Sequence, residues 1–364
     1  MLKMPGFLAG WMAASLVSVA QTAPKKIDND LVFNKQKYSQ KNISLPEKPL
    51  TKLEFPFLER IEIVDMRSDT SCIGFRNRRT EKNNQTLQFS AGLKSELETF
   101  LNKNSHYGNG PYDAVLVVKN YWVNEFGIDE DEEDKVSDNR SGKYNFRKSA
   151  LRATIDLYLS KDDAYYVAYR FDTLATAFLG IIDFTDNYLA PLLISSVNRL
   201  QEINPDVHIV SKRKFSRKEL QDYYAQRWDK PILKSNQYVK GVYKNFTEFI
   251  NNKPSIVQYV VKKDKLVDML YVPVGKDQLT PARDVWGYCD GNKIFIKSGE
   301  NFYPLVRVQN AFYFLGSKEL MREQDDYYMP LDPYTGTSMR VVSEPYLRNR
   351  LVPMKVDMEK GTTY

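Results

Sequence analysis

Histidine and cysteine are nearly absent: the 364 residues hold two of each, His106 and His208, Cys72 and Cys289. His106 sits in a polar Asn/Gly/Ser stretch and His208 follows Pro205 and Asp206, so neither stands at the spacing of a zinc site. Also missing are Gly-x-Ser-x-Gly, a glycine loop able to cradle phosphate, and His-Glu-x-x-His. Ser211 and Lys214 match Ser-x-x-Lys, but inside a run of cations where such spacing arises by chance. These gaps remove the usual routes to nucleophilic, metal-assisted and nucleotide-dependent catalysis, and no cofactor is expected. Catalysis by carboxylates alone, as in glycosidases, survives, because two acids can be brought together from anywhere in a fold. Nothing in the sequence selects such a pair.

Two cysteines in so long a chain are not a disulfide framework, and both read as small buried apolar side chains. After Ala20 there is no apolar run long enough to span a bilayer; the best, Leu174 to Ile182, is about half the needed length. The run from Phe7 to Ala20 is itself too short, and with Lys3 before it and small residues at Ser18 and Ala20 it reads as a secretory signal peptide. A buried amino-terminal helix is the competing reading, and it lacks a polar face. No cysteine follows the small residues, so lipid attachment is not expected. The mature chain is therefore expected outside the cytoplasm, in the periplasm or at the cell surface, where nucleic acid is not a partner. Loss of Lys3 with the leader lowers the formal charge from +6 to +5. That mild excess permits attraction to lipid headgroups or acidic glycans.

Aromatics, by contrast, are abundant, with 24 Tyr and 19 Phe, which favours strands over helices. Apolar residues make up 42% of the chain and both charge signs are common, which marks a globular protein, and the length suggests two domains. Residues 21–52 are rich in Lys and Asn without helical or strand period and read as an extended leader. Ile61–Met66 reads as a strand. Leu93, Leu97, Phe100 and Leu101 form a helical stripe behind a Ser90 cap. Asp113–Val123 follows as a strand, then Leu151–Leu159, alternating without error, then Ala164–Thr173. A second helix covers about Tyr188 to Leu200, with Pro191 in its first turn.

This order, opening with "IEIVDMRSDTSCIGF" and its Asp65, Arg67 and Gly74, resembles the amino-terminal domain of the Tol-system propeller protein over roughly residues 55–205. A sheet with one polar face and two amphipathic helices should form two layers, the helices covering the apolar side, and the resemblance carries no site residue. Residues 209–235 turn basic, with Ser216 and Glu219 at capping-box spacing ahead of a short helix from Arg217 to about Trp228. Beyond them lie short strands and turns: a hairpin of Ile256–Val261 with Leu266–Tyr271, then a four-strand meander through Phe302–Val308 and Ala311–Leu315. Asp-to-Gly-Thr turns recur at Leu331–Thr337 and Val356–Thr362, too few for a propeller. "GVYKNFTEFINNKPS" at Gly241–Ser255 looks like exported bacterial envelope proteins without an assigned activity. The expected fold class is α+β: a two-layer β-α-β-β-β-α domain (53–208), a basic helical linker (209–235) and a β-rich domain of hairpins and meanders (236–364).

The candidate binding platform lies in "VWGYCDGNKIFIK", Val285–Lys297, which resembles a single Trp-Gly repeat. In a strand Trp286 and Tyr288 would share one face and offer apolar area with a polar handle to a sugar or partner chain; alternatively they fill a hairpin core. The run Asp129–Asp134 lacks the spacing that bends a loop around calcium. Lys212, Arg213, Lys214, Arg217 and Lys218, and the smaller set Arg76, Arg78 and Arg79, could meet phosphates or simply be solvated. The reading is a non-catalytic exported envelope protein that binds an envelope protein or glycan; the rivals are a carboxylate-dependent glycan hydrolase and a membrane-surface binder. Mass spectrometry of the exported product should find Gln21 at its amino terminus, and a membrane-free product retaining residues 1–20 would refute the signal peptide.

Overall fold

The computed structural model describes residues 32–77, 84–129, 145–177, 179–210, 212–263, 268–275, 278–317 and 351–364. Among them the strands are β1 (Ser39–Ile43), β2 (Leu53–Phe55), β3 (Leu58–Asp65), β4 (Gly74–Asn77), β5 (Gln85–Phe89), β6 (Ser105–Tyr107), β7 (Tyr112–Asp129), β8 (Asn145–Lys161), β9 (Ala164–Ala177), β10 (Lys214–Ser216) and β11 (Gly241–Tyr243). They continue as β12 (Val260–Lys263), β13 (Asp268–Val274), β14 (Gln278–Pro281), β15 (Gly287–Cys289), β16 (Ile294–Ser298), β17 (Asn301–Pro304), β18 (Val306–Val308), β19 (Ala311–Ser317) and β20 (Leu351–Lys355). The helices are α1 (Leu93–Lys103), α2 (Ile181–Phe184), α3 (Ala190–Asn198), α4 (Pro205–Val210), α5 (Arg217–Ala225), α6 (Pro231–Lys234) and α7 (Phe246–Ile250). The fold is α+β and rich in strands, and no helix among the described residues is long and apolar enough to cross a membrane.

An eight-stranded sheet in the order β1-β5-β4-β7-β8-β9-β10 organises the first half, with β3 also paired to β7. β7, β8 and β9 are long antiparallel neighbours; β3 and then β4 run parallel to successive halves of β7. Between those halves the β7–β8 register slips at Val118 to Asn120. A bulge exchanges the faces of every later residue. Before it Tyr112, Ala114, Leu116 and Val118 enter the helix-side core; after it Tyr121 and Val123 do. On β8 Leu151, Ala153, Ile155, Leu157 and Leu159 join them, as their alternation predicts.

α1 presents Leu93, Leu97, Phe100 and Leu101 to that core. Its expected Ser90 cap is not formed: Gly92 holds the cap position at φ 80° without a side-chain bond, a conformation that suits a residue lacking Cβ. The second helix begins earlier than its sequence pattern suggests, at Ile181, and passes through a π turn (Thr185–Leu189) into α3. Glu125, fully buried on β7, sets that start: it accepts the Ile181 N–H at 2.5 Å and the Arg76 Nε–H at 2.5 Å. Residues 32–52, aperiodic in sequence, are built into the fold. Phe33 and Tyr38 are buried, and β1 pairs in parallel with β5.

The sheet's other face, polar by sequence on β8, is where later elements dock. α5 packs Leu220 and Tyr224 against Val115, Val117, Tyr158 and Tyr165. Farther along, Phe75, Trp122 and Phe126 meet Tyr313 of β19 and the strand β20. The expected meander divides into three small sheets, β11-β15-β16-β17, β12-β13-β14 and β18-β19-β20. The second Asp-to-Gly-Thr turn follows β20, with the Asp357 carboxylate accepting the N–H groups of Glu359 and Lys360; the first, Leu331–Thr337, lies outside the described residues.

Candidate functional site

Trp286 and Tyr288 do not form one platform. Trp286 stands just before β15, half-buried, its ring stacked on Phe249 at 4.0 Å and its Nε1–H donating to the Gly361 carbonyl at 3.4 Å. Tyr288 is buried in a different core, stacked on Phe295 at 4.6 Å and edge-on to Phe302. Gly287 between them passes so close to β16 that a Cβ there would lie 2.2 Å from the Phe295 carbonyl oxygen. The Asp290–Gly291 turn is as expected: the Asp290 carboxylate accepts the N–H groups of Asn292 and Lys293 at 2.7 Å, and Gly291 has φ 104°.

A polar network that sequence reading did not find joins the two halves. Asp69, fully buried in the loop between β3 and β4, accepts from the Tyr313 hydroxyl at 2.8 Å, the Ser71 N–H at 2.8 Å and the Lys35 ammonium at 3.2 Å. Burial alone would raise its pKa, but Lys35, Ser71 and Tyr313 outweigh that and hold it below the usual carboxylate range. Nearby Arg67 makes a fork to Asp65, at 2.9 and 2.8 Å, and donates to the Cys72 carbonyl at 2.7 Å. Lys355, 2% exposed, lies over the Trp122 ring at 4.5 Å; burial drops its pKa from 10.5 to about 8, against the opposing pull of Cys72, Asp69 and Asp357. A second group lies beside α5. Asp156 accepts from Arg170 at 2.6 Å and Tyr224 at 2.7 Å, with Lys119 at 3.9 Å; Lys119 also stands 3.7 Å from Glu359, which Arg227 bonds. Burial would raise the Glu359 pKa, but Arg227 and Lys119 bring it down.

The remaining candidates are scattered. His106 is exposed on β6, and His208 on α4 places Nε2 2.8 Å from the Val167 carbonyl oxygen. Cys72 and Cys289 are buried free thiols whose pKa values burial pushes up. Arg76 is committed to Glu125, while Arg78, Arg79 and residues 130–134 lie outside the described residues. Lys212, Arg213, Lys214, Arg217 and Lys218 are all exposed. No group of three or more metal-ligating side chains gathers among the described residues.

One surface departs from the usual rule that a sheet turns a polar face to water. In the β12-β13-β14 sheet Tyr271 pairs with both Val260 and Pro281, Met269 with Lys262, and Pro273 with Leu279. Directly paired residues share a face, so these side chains stand together. Val260 and Leu279 are each 42% exposed and Met269 37%, while Leu270 on the opposite face is buried in the core. The signal was present in the alternation of Met269, Tyr271 and Pro273, but only the register shows which face is outward.

No family model and no curated protein matches the sequence. A solved structure, protein XCC0632 from Xanthomonas campestris, of family DUF330, is similar at 11% identity over 45% of this chain and 91% of its own, with a TM-score of 0.23. A likeness that distant bears on neither fold nor function.

Trp286→Ala should lower stability by about 3 kcal/mol in a urea melt, the cost of removing a packed aromatic; an unchanged midpoint would show that the ring is free for binding. Lys355 binds a proton in the unfolded chain but not in the folded one between pH 8 and 10.5, so its contribution makes stability rise with pH across that window. Lys355→Met should remove a rise of roughly 3 kcal/mol from the difference between mutant and wild-type stability curves, and parallel curves would refute the depressed pKa.

Proposed function

We propose that this chain is an exported cell-envelope protein that works by binding, as a recruiting or assembly component rather than a catalyst. The observation that carries the reading is the outward apolar face of β12-β13-β14, since contiguous exposed apolar surface on a soluble fold marks a contact site. As the outward face of a three-stranded sheet, with Tyr271 at the centre and the Lys262 ammonium 4.8 Å over that ring, it suits another protein surface better than a small molecule. The buried charges support the same reading. Asp69, Glu125, Asp156 and Lys119 each have an oppositely charged neighbour within the fold, which is how a structural charge is kept. Export rests on the leader-like residues 1–20, and the expected partner is an envelope protein.

Photo-cross-linking from position 279 in the native cell, followed by identification of the captured chain, tests the reading. Met269→Asp with Leu279→Asp should abolish capture at a separate reporter position while changing stability by no more than about 0.5 kcal/mol per site, as exposed substitutions do. Undiminished capture by the double variant would refute this face as the contact.

A further inference from the structure

We propose that the ridge made by α4, β10 and the first turn of α5 rests on an anionic lipid surface, with Val207 and Val210 entering the headgroup layer and Lys212, Lys214 and Arg217 meeting phosphate. No side chain of α4 is fully buried. Val207 is 69% and Val210 85% exposed, and residues three apart on a helix are neighbours, so the two form one apolar tip. Their outward direction is imposed by the rest of the helix. Asp206 accepts from the Tyr112 hydroxyl at 2.7 Å, His208 holds the Val167 carbonyl, and Ile209 packs on the helix-side core.

The chain then forms β10, the outermost strand of the large sheet. Phe215 points into the core shared with Tyr158 and Tyr165, so Lys214, its neighbour along the strand, falls on the opposite face, where α4 lies. From Val207 to Lys218 the sequence carries five basic residues and no acid. Lys218 pairs with Asp222 and the Arg213 guanidinium lies 4.6 Å from the centre of the Phe215 ring. Exposed Lys212, Lys214 and Arg217 have no acidic partner among the described residues.

Lysine on an edge strand discourages addition of another strand, which argues against this edge pairing with a partner chain. An apolar tip framed by unpaired cations is instead the combination that interfacial binding requires: apolar insertion and charge attraction are each weak alone and effective together. This surface is separate from the outward face of β12-β13-β14 and does not depend on it.

The test is co-sedimentation of the full exported chain with vesicles of phosphatidylcholine alone and of phosphatidylcholine with about one-third phosphatidylglycerol. Binding is expected only to the anionic vesicles, strong at roughly 0.05 M salt and weak at roughly 0.5 M. Lys212→Gln, Lys214→Gln and Arg217→Gln together should lower the partition coefficient by about 100-fold. Val207→Ser with Val210→Ser should lower it by about tenfold with the charge unchanged. All the altered side chains are exposed, so the melts should match wild type, and Met269→Asp with Leu279→Asp should bind vesicles normally. The proposal is overturned by failure to bind anionic vesicles, by equal binding to neutral ones, or by variants that bind as wild type does. It is equally overturned if the ridge cations are needed for capture of an acidic protein while vesicles are ignored.

Discussion

A carboxylate that is fully buried must be met by donors, and the arrangement of this molecule follows from how Asp69 is met. β7 is paired along one edge by two successive strands, β3 and β4, and the chain between them leaves the sheet and places Asp69 beneath the second half. Lys35 comes from before the sheet, Ser71 from the loop itself and Tyr313 from β19. Removing any donor would leave an under-compensated buried charge, a defect worth several kcal/mol. The first described residues, the large sheet and β19 are therefore held to one another at a single carboxyl group.

The bulge at Lys119 serves the same end. By exchanging faces midway along β7, it lets the strand give apolar residues to the helices from Tyr112 to Val123 while Trp122 and Phe126 face the second half. Lys119 itself turns toward Asp156 and Glu359, so the bulge residue also carries a charge link between β8 and the turn after β20. Part of the aromatic wealth noted in the composition gathers here. Phe33, Phe75, Trp122, Tyr313 and Tyr364 pack ring against ring at centroid separations of 5.1 to 6.1 Å.

Buried charge and exposed apolar surface divide between structure and function. Buried Asp69, Glu125, Asp156 and Lys119 each meet an opposite charge inside the fold and hold elements together. The two surfaces on which the proposals rest differ in kind: the outward face of β12-β13-β14 is apolar, and the ridge beside β10 sets exposed valines next to exposed cations. On the two proposals together, the chain would hold a protein partner at an anionic membrane surface.

What the sequence determined by itself is whatever depends on near neighbours. The alternation of Leu151 to Leu159 sufficed for β8, the stripe of Leu93, Leu97, Phe100 and Leu101 for α1, and the Ser216–Glu219 capping box for α5. The Asp290–Gly291 turn was legible for the same reason. The tertiary structure decided what depends on residues far apart in the chain. β1 shows no period because a parallel edge strand is chosen by its partner β5; Ser90 yields the cap to Gly92 because the turn out of β5 needs positive φ; and Trp286 and Tyr288 part because one stacks on Phe249 of α7 and the other on Phe295 of β16. The outward face of β12-β13-β14 and the junction at Asp69 belong here too, since register and burial are set by contacts such as that between Asp69 and Tyr313, 244 positions apart, which no local pattern encodes.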